Sequence, residues 1–172
     1  MTTWRLAKAT LAFAMAASAC AAPALRCALE APAQAAAGAP VVLRFTIANA
    51  GSAPLQVLRW NTPLEGAWFA PFVEVTHGGR TLPFMGPMIK RGDPDAAAYL
   101  RLAPGAAETA ELDLAAPFDL SKPGRYRVTP RIRVLDAFDA ATARAPRPRA
   151  AHRGFDLDCP AIELTIAAPA RR

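Results

Sequence analysis

Short runs in which apolar and polar residues alternate, set apart by Gly, Pro and Asn turn signals, predict an all-β chain. The 17 prolines argue against long helices, and much of the 53% apolar fraction is alanine, which adds little burial per residue. At 172 residues the chain suffices for one domain with one core, burying roughly 68–70% of the surface its unfolded form exposes.

Residues 1–24 read as a signal peptide, with Arg5 and Lys8 preceding an apolar run from Ala9 to Ala19 and then small residues. Cuts after Ala19, Ala21 or Ala24 all fit. Ala17-Ser18-Ala19-Cys20 also approximates a lipobox in which Cys20 is lipidated, although Ala17 stands where Leu is preferred. The mature chain is therefore expected to be exported, periplasmic or secreted, with a membrane anchor only if Cys20 carries lipid.

The strands follow in order. Val41, Leu43, Phe45 and Ile47 alternate with Val42, Arg44 and Thr46, and Asn49 to Ser52 turns the chain. Leu55–Trp60 is the next expected strand. Phe72–Thr76 and Arg80–Phe84 flank His77-Gly78-Gly79, a tight hairpin signal. Tyr99–Leu102 and Glu108–Leu114 surround a Pro104-Gly105 turn. Arg125 to Leu135 places Tyr126, Val128, Ile132 and Val134 on one face and Arg125, Arg127, Arg131 and Arg133 on the other, with Pro130 marking an edge or a bulge. Ala161–Ala167 closes the series with Ile162, Leu164 and Ile166 inward. About eight short strands between turn signals predict an immunoglobulin-like antiparallel β-sandwich over residues 25–168. The Ala/Pro/Arg stretch 137–154 lacks apolar periodicity and is expected to be a mobile loop, Ala31–Ala39 a simple connection, and 169–172 a frayed tail.

Losing Arg5 and Lys8 with the leader lowers the formal charge from +6 to +4, which bears on solubility, and no nucleic-acid motif accompanies it. With Cys20 in the leader, Cys27 and Cys159 remain as an even pair in an oxidising compartment, so a disulfide is expected. It would tie the first strand to the approach of the last, worth about 4–5 kcal/mol in the chain-entropy model.

Two segments are not demanded by composition or periodicity: Arg59-Trp60-Asn61-Thr62-Pro63-Leu64-Glu65-Gly66 and, downstream, Gly86-Pro87-Met88-Ile89-Lys90-Arg91-Gly92. On these motifs the chain resembles, over roughly Val41 to Val128, the N-terminal non-catalytic β-domain of secreted bacterial metalloendopeptidases of the deuterolysin and peptidyl-Lys type. The resemblance implies a companion domain standing without its zinc catalytic half. The function it implies is a non-enzymatic exported binding module, an inhibitor or folding helper in trans whose partner is a metalloprotease. The alternative is an envelope-associated structural sandwich unrelated to proteolysis.

No catalytic residue carries over. A deuterolysin-type site needs two histidines one helical turn apart with a glutamate between them, and the two histidines here, His77 and His152, lack that spacing. Ser52 and Ser121 sit in turns without a Gly-x-Ser-x-Gly elbow. No cofactor is implied. Asp156 and Asp158, two apart near His152, fit either a surface cation site or two solvated acids, and no glycine-punctuated calcium loop surrounds them. The arginine stripe fits an acidic partner or lipid headgroups, or arginines that blunt an exposed or edge strand. Trp60, Asn61, Glu65, Lys90 and Arg91 are the candidate site residues: Glu65 would pair with Lys90 or Arg91, and the group either pins two loops, with Trp60, Trp68, Phe69 and Phe72 as core, or forms a docking surface.

Overall fold

The computed structural model describes residues 24–168. Thirteen strands are present: β1 (Leu25–Glu30), β2 (Gln34–Ala36), β3 (Val42–Asn49), β4 (Leu55–Leu58), β5 (Val73–His77), β6 (Arg80–Thr81), β7 (Tyr99–Leu102), β8 (Ala107–Asp113), β9 (Gly124–Pro130), β10 (Arg133–Val134), β11 (Ala137–Asp139), β12 (Phe155–Asp156) and β13 (Ile162–Ala167). Eight of them, β1, β3, β4, β5, β7, β8, β9 and β13, have four residues or more; all of these but β1 overlap spans expected as strands, while the expected Arg80–Phe84 strand shrinks to the pair β6, and the other five are pairs or triplets.

Two main sheets, β1-β3-β8 and β2-β13-β9-β5-β6, enclose the core. Their alternating strands supply Leu43, Phe45 and Ile47 from one side and Val75, Tyr126, Val128, Leu164 and Ile166 from the other to one apolar cluster. Two details mark the sandwich as immunoglobulin-like. The N-terminal segment pairs antiparallel with β3 through β1, then crosses to the opposite sheet, where β2 pairs parallel with β13. The Tyr126 hydroxyl, near the start of β9, donates to the Lys122 carbonyl at 2.7 Å, the tyrosine-corner contact of such domains. The Lys122–Tyr126 turn is tightly built: Gly124 has φ +138°, and a Cβ there would lie 2.6 Å from His77 Nε2. His77 in turn stacks on Tyr126 with ring centroids 4.3 Å apart.

The β5–β6 hairpin forms as expected, with His77 paired to Arg80 and both Gly78 and Gly79 at positive φ. The expected disulfide joins Cys27 in β1 to Cys159 ahead of β13, with Cα atoms 5.3 Å apart and a sequence separation of 132. It links the two main sheets covalently.

Four expectations need correction. Ala31–Ala39 is more than a connection, because it contains β2; three residues are too few to show a period. The 137–154 stretch is not loop throughout: Ala137–Asp139 forms β11 against β4, with Ala137 and Phe138 buried, and Arg149–Ala151 makes a 3₁₀ turn. The Arg125–Leu135 run divides after Pro130 into β9 and β10, and β9 lies between β13 and β5, so Arg125 and Arg127 sit on a central strand and not at an edge, with Arg131 just past its end and Arg133 in β10. They project outward and pair with acids across the ladder, Arg125 and Arg127 with Glu163 and Arg131 with Glu74. Finally, β4 stops at Leu58 and β6 at Thr81, which frees Trp60 and Phe84 from strand pairing.

A third sheet, β11-β4-β7, is built wholly from the long connections β3–β5, β6–β8 and β9–β13. Its strands carry the chain into and out of the candidate site.

Candidate functional site: a basic cleft beside a buried polar centre

The first motif folds on itself for local reasons. Thr62, held extended before Pro63, accepts a hydrogen bond from the Leu64 N–H at 3.3 Å and donates to the Arg59 carbonyl at 2.6 Å. Pro63 opens the 3₁₀ turn Pro63–Glu65 and Gly66 closes it. Asn61 sits at φ 58°, a left-handed conformation that asparagine tolerates, and its N–H reaches Glu65 Oε2 at 3.2 Å. The turn thereby aims Glu65 at the second motif.

Arg91 answers it. Its guanidinium forms an ion pair with Glu65, both side chains being largely buried at 19% and 12% exposure. The guanidinium also lies 4.7 Å from the Trp60 ring centroid and 5.5 Å from that of Phe69. Arg91 Nε is buried without a hydrogen-bond partner, and the two π faces compensate part of that loss. Of the two cations offered to Glu65 by the sequence, Arg91 takes the role; Lys90 points to an exposed position on the cleft wall. Trp68 and Phe72 are core, stacked at 4.3 Å, whereas Trp60 and Phe69 are half-buried and serve as the platform for Arg91, correcting their expected place in the core.

The cleft itself has a volume of about 400 Å³ and is lined by Trp60, Asn61, Ile89, Lys90, Arg91, Leu135, Arg149 and His152. Four of the five candidate residues line it, with Glu65 behind Arg91. No carboxylate does so. Arg149 approaches from the third connection: its guanidinium donates to the Arg91 carbonyl at 2.9 Å and its N–H to Asp93 Oδ1 at 3.1 Å.

Behind Leu135 lies a polar centre that sequence reasoning missed. Asp136 is fully buried, accepting the Tyr99 hydroxyl at 3.0 Å on Oδ2 and the Arg153 N–H at 3.1 Å on Oδ1. Arg147 Nε is 3.6 Å from Oδ2, and its guanidinium packs on Phe138 at 4.7 Å. His152 Nε2 is 3.1 Å from the Arg147 carbonyl and 3.3 Å from the Tyr99 oxygen. A carbonyl only accepts, and the Tyr99 proton is committed to Asp136, so Nε2 carries the hydrogen. Burial first, and then the bond to Asp136, push the Tyr99 pKa up to about 12.

His152 faces Tyr99 and Arg147, while Asp156 is exposed in β12 and pairs with Arg133 at 3.0 Å. Among the described residues, no group of three or more His, Cys, Asp or Glu side chains is placed to hold a metal. Cys20 and the rest of the expected leader before Ala24 lie outside the described residues.

No protein-family model matches the chain. Over 88 residues, 51% of its length, it is 30% identical to an extracellular protease of Aeromonas hydrophila, and it spans only about a quarter (25%) of that relative. Among solved structures it aligns with the CARDB domain of the PF1109 protein of Pyrococcus furiosus, determined with di-metal ions, at 12% identity and a TM-score of 0.30, covering 80% of this chain and 88% of that one. The chain is thus an all-β, immunoglobulin-like domain with partial similarity to an extracellular protease.

Proposed function

We propose that this chain is an exported, non-enzymatic binding module that engages a secreted metalloprotease in trans, as an inhibitor or a folding helper. The observation carrying this reading is the 30% identity to an extracellular protease over half of a chain whose two histidines are already engaged structurally. His77 stacks on Tyr126, and His152 is bonded to Tyr99 and Arg147 in a different part of the fold. Similarity to a quarter of a protease fits a companion region of that protein. The disulfide between Cys27 and Cys159 fits an oxidising compartment, where such proteases work.

The purified mature domain should be incubated with secreted metalloendopeptidases while peptide hydrolysis, recovery of activity from denaturant and direct binding are followed. A dose-dependent fall in hydrolysis or rise in refolding yield is expected. Unchanged activity and yield with no measurable binding across the proteases would remove the proposal and leave the envelope-structural role.

A further inference from the structure

The segment that delivers Arg91 to Glu65 carries three of the four large exposed apolar side chains among the described residues. Met85 is 61% exposed, Met88 78% and Ile89 43%, against 46% for Val42 on a distant strand. Such exposure is unfavourable for an isolated domain. Thioether side chains are unbranched and adaptable, and recur at protein-binding surfaces that must accept different partners.

Immediately beside them, the cleft concentrates positive charge. Lys90 and Arg149 line it, and among the described residues neither makes an ion pair; the nearby Asp93 is engaged by the Arg149 backbone N–H. Arg91 is neutralised by Glu65 and lies on the Trp60 ring, so the two together form one wall. A carboxylate entering the cleft would meet two unpaired cations and an aromatic wall, and the residues flanking it would lie on Met88 and Ile89. We infer that the Trp60–Lys90–Arg149 cleft and the adjoining Met85–Ile89 segment form one docking surface for a polypeptide segment with an acidic residue next to a large apolar one. Charge complementarity selects the acid, and the concave walls suit a side chain presented on a backbone.

This inference rests on the reading of the chain as a binding module, and the experiment separates the two. A random peptide library displayed on phage is selected against the mature domain, and the winning peptides are synthesised and titrated while the Met85 and Met88 methyl signals are followed by NMR. Enrichment of Asp or Glu beside Leu, Ile or Phe is expected, with both methyls shifting and affinity falling as salt rises. Lys90→Glu with Arg149→Glu should weaken binding about tenfold or more, about 1.4 kcal/mol. Met88→Ser, at a position 78% exposed, should weaken it without altering the fold.

Absence of enriched peptides, enrichment of basic ones, or binding indifferent to the charge reversal overturns the assignment. So does equal or preferred binding of phosphatidylglycerol vesicles, which would give the patch to a lipid surface. If a metalloprotease still binds the Lys90→Glu, Arg149→Glu variant with unchanged affinity, the docking surface is wrong while the module reading stands.

Discussion

The chain has two tyrosines, and each marks a region built on a different principle. Tyr126 donates to a neutral carbonyl four residues away, packs under His77 and belongs to the main sandwich. Tyr99 donates to a fully buried carboxylate 37 residues away, in a centre that also holds Arg147, His152 and the Arg153 backbone. The first contact closes a turn that the local chain already favours. The second fastens the 140–154 part of the third connection to the small sheet by charge, because that part supplies no fully buried apolar side chain with which to be held. A desolvated charge stabilises only while every partner is present, so the two regions should respond unequally to the loss of one group.

Asp136→Ala should produce the largest effect. It strands the Tyr99 hydroxyl, the Arg153 N–H and the Arg147 guanidinium in a dry site, with an expected loss of about 3–5 kcal/mol by urea denaturation. Tyr99→Phe removes one bond to a charged acceptor and should cost about 1.5–3 kcal/mol. It also tests the alkaline behaviour. With the folded-state pKa near 12, above the unfolded value near 10, the Tyr99 contribution is fully present below the unfolded pKa and is lost as pH rises through that window. Wild type should therefore lose about 2–3 kcal/mol there that Tyr99→Phe does not lose, visible as a difference in denaturation midpoints.

Tyr126→Phe should cost less, about 0.5–1.5 kcal/mol, since its bond is neutral and local. If it costs more than Asp136→Ala, the contrast between the regions fails. Smallest of all should be Glu163→Gln on the open face of the five-stranded sheet. The Arg125 guanidinium holds the Glu163 carboxyl below its usual range, so the contribution exists above the unfolded carboxylate pKa and fades as pH falls through the folded one. Both groups are well exposed, and the variant's denaturation curve at neutral pH should nearly overlay that of wild type.

The same contrast explains what could be read from the chain. Val41, Leu43, Phe45 and Ile47 were legible as a core face because a half-buried strand imposes a two-residue period. Trp60, Asn61, Glu65, Lys90 and Arg91 were legible as a group because two unusual motifs contained them, and the structure brings them together. The choice of Arg91 over Lys90 was not, because both are cations at adjacent positions and only the arginine plane can lie on Trp60 and Phe69 while pairing with Glu65. Arg149 and His152 lie in the Ala/Pro/Arg stretch 137–154, which read as a mobile loop, and Asp136 just ahead of it gave no signal. Tyr99, Arg91 and Asp93, which complete the contacts of these residues, lie on another connection, so local sequence carries no trace of that pairing.

By itself, then, the amino-acid sequence determined the alternating strands, the sandwich class and the cysteine pair, since each follows from short-range periodicity, turn chemistry or compartment. Only the tertiary structure decided that β9 is central, that Asp136 is buried among Tyr99, Arg147 and Arg153, and that Arg149 and His152 join Trp60 and Lys90 at one cleft. The physical reason is range: a period of two is written along one strand, whereas charge pairing across three connections exists only once the core has brought them together.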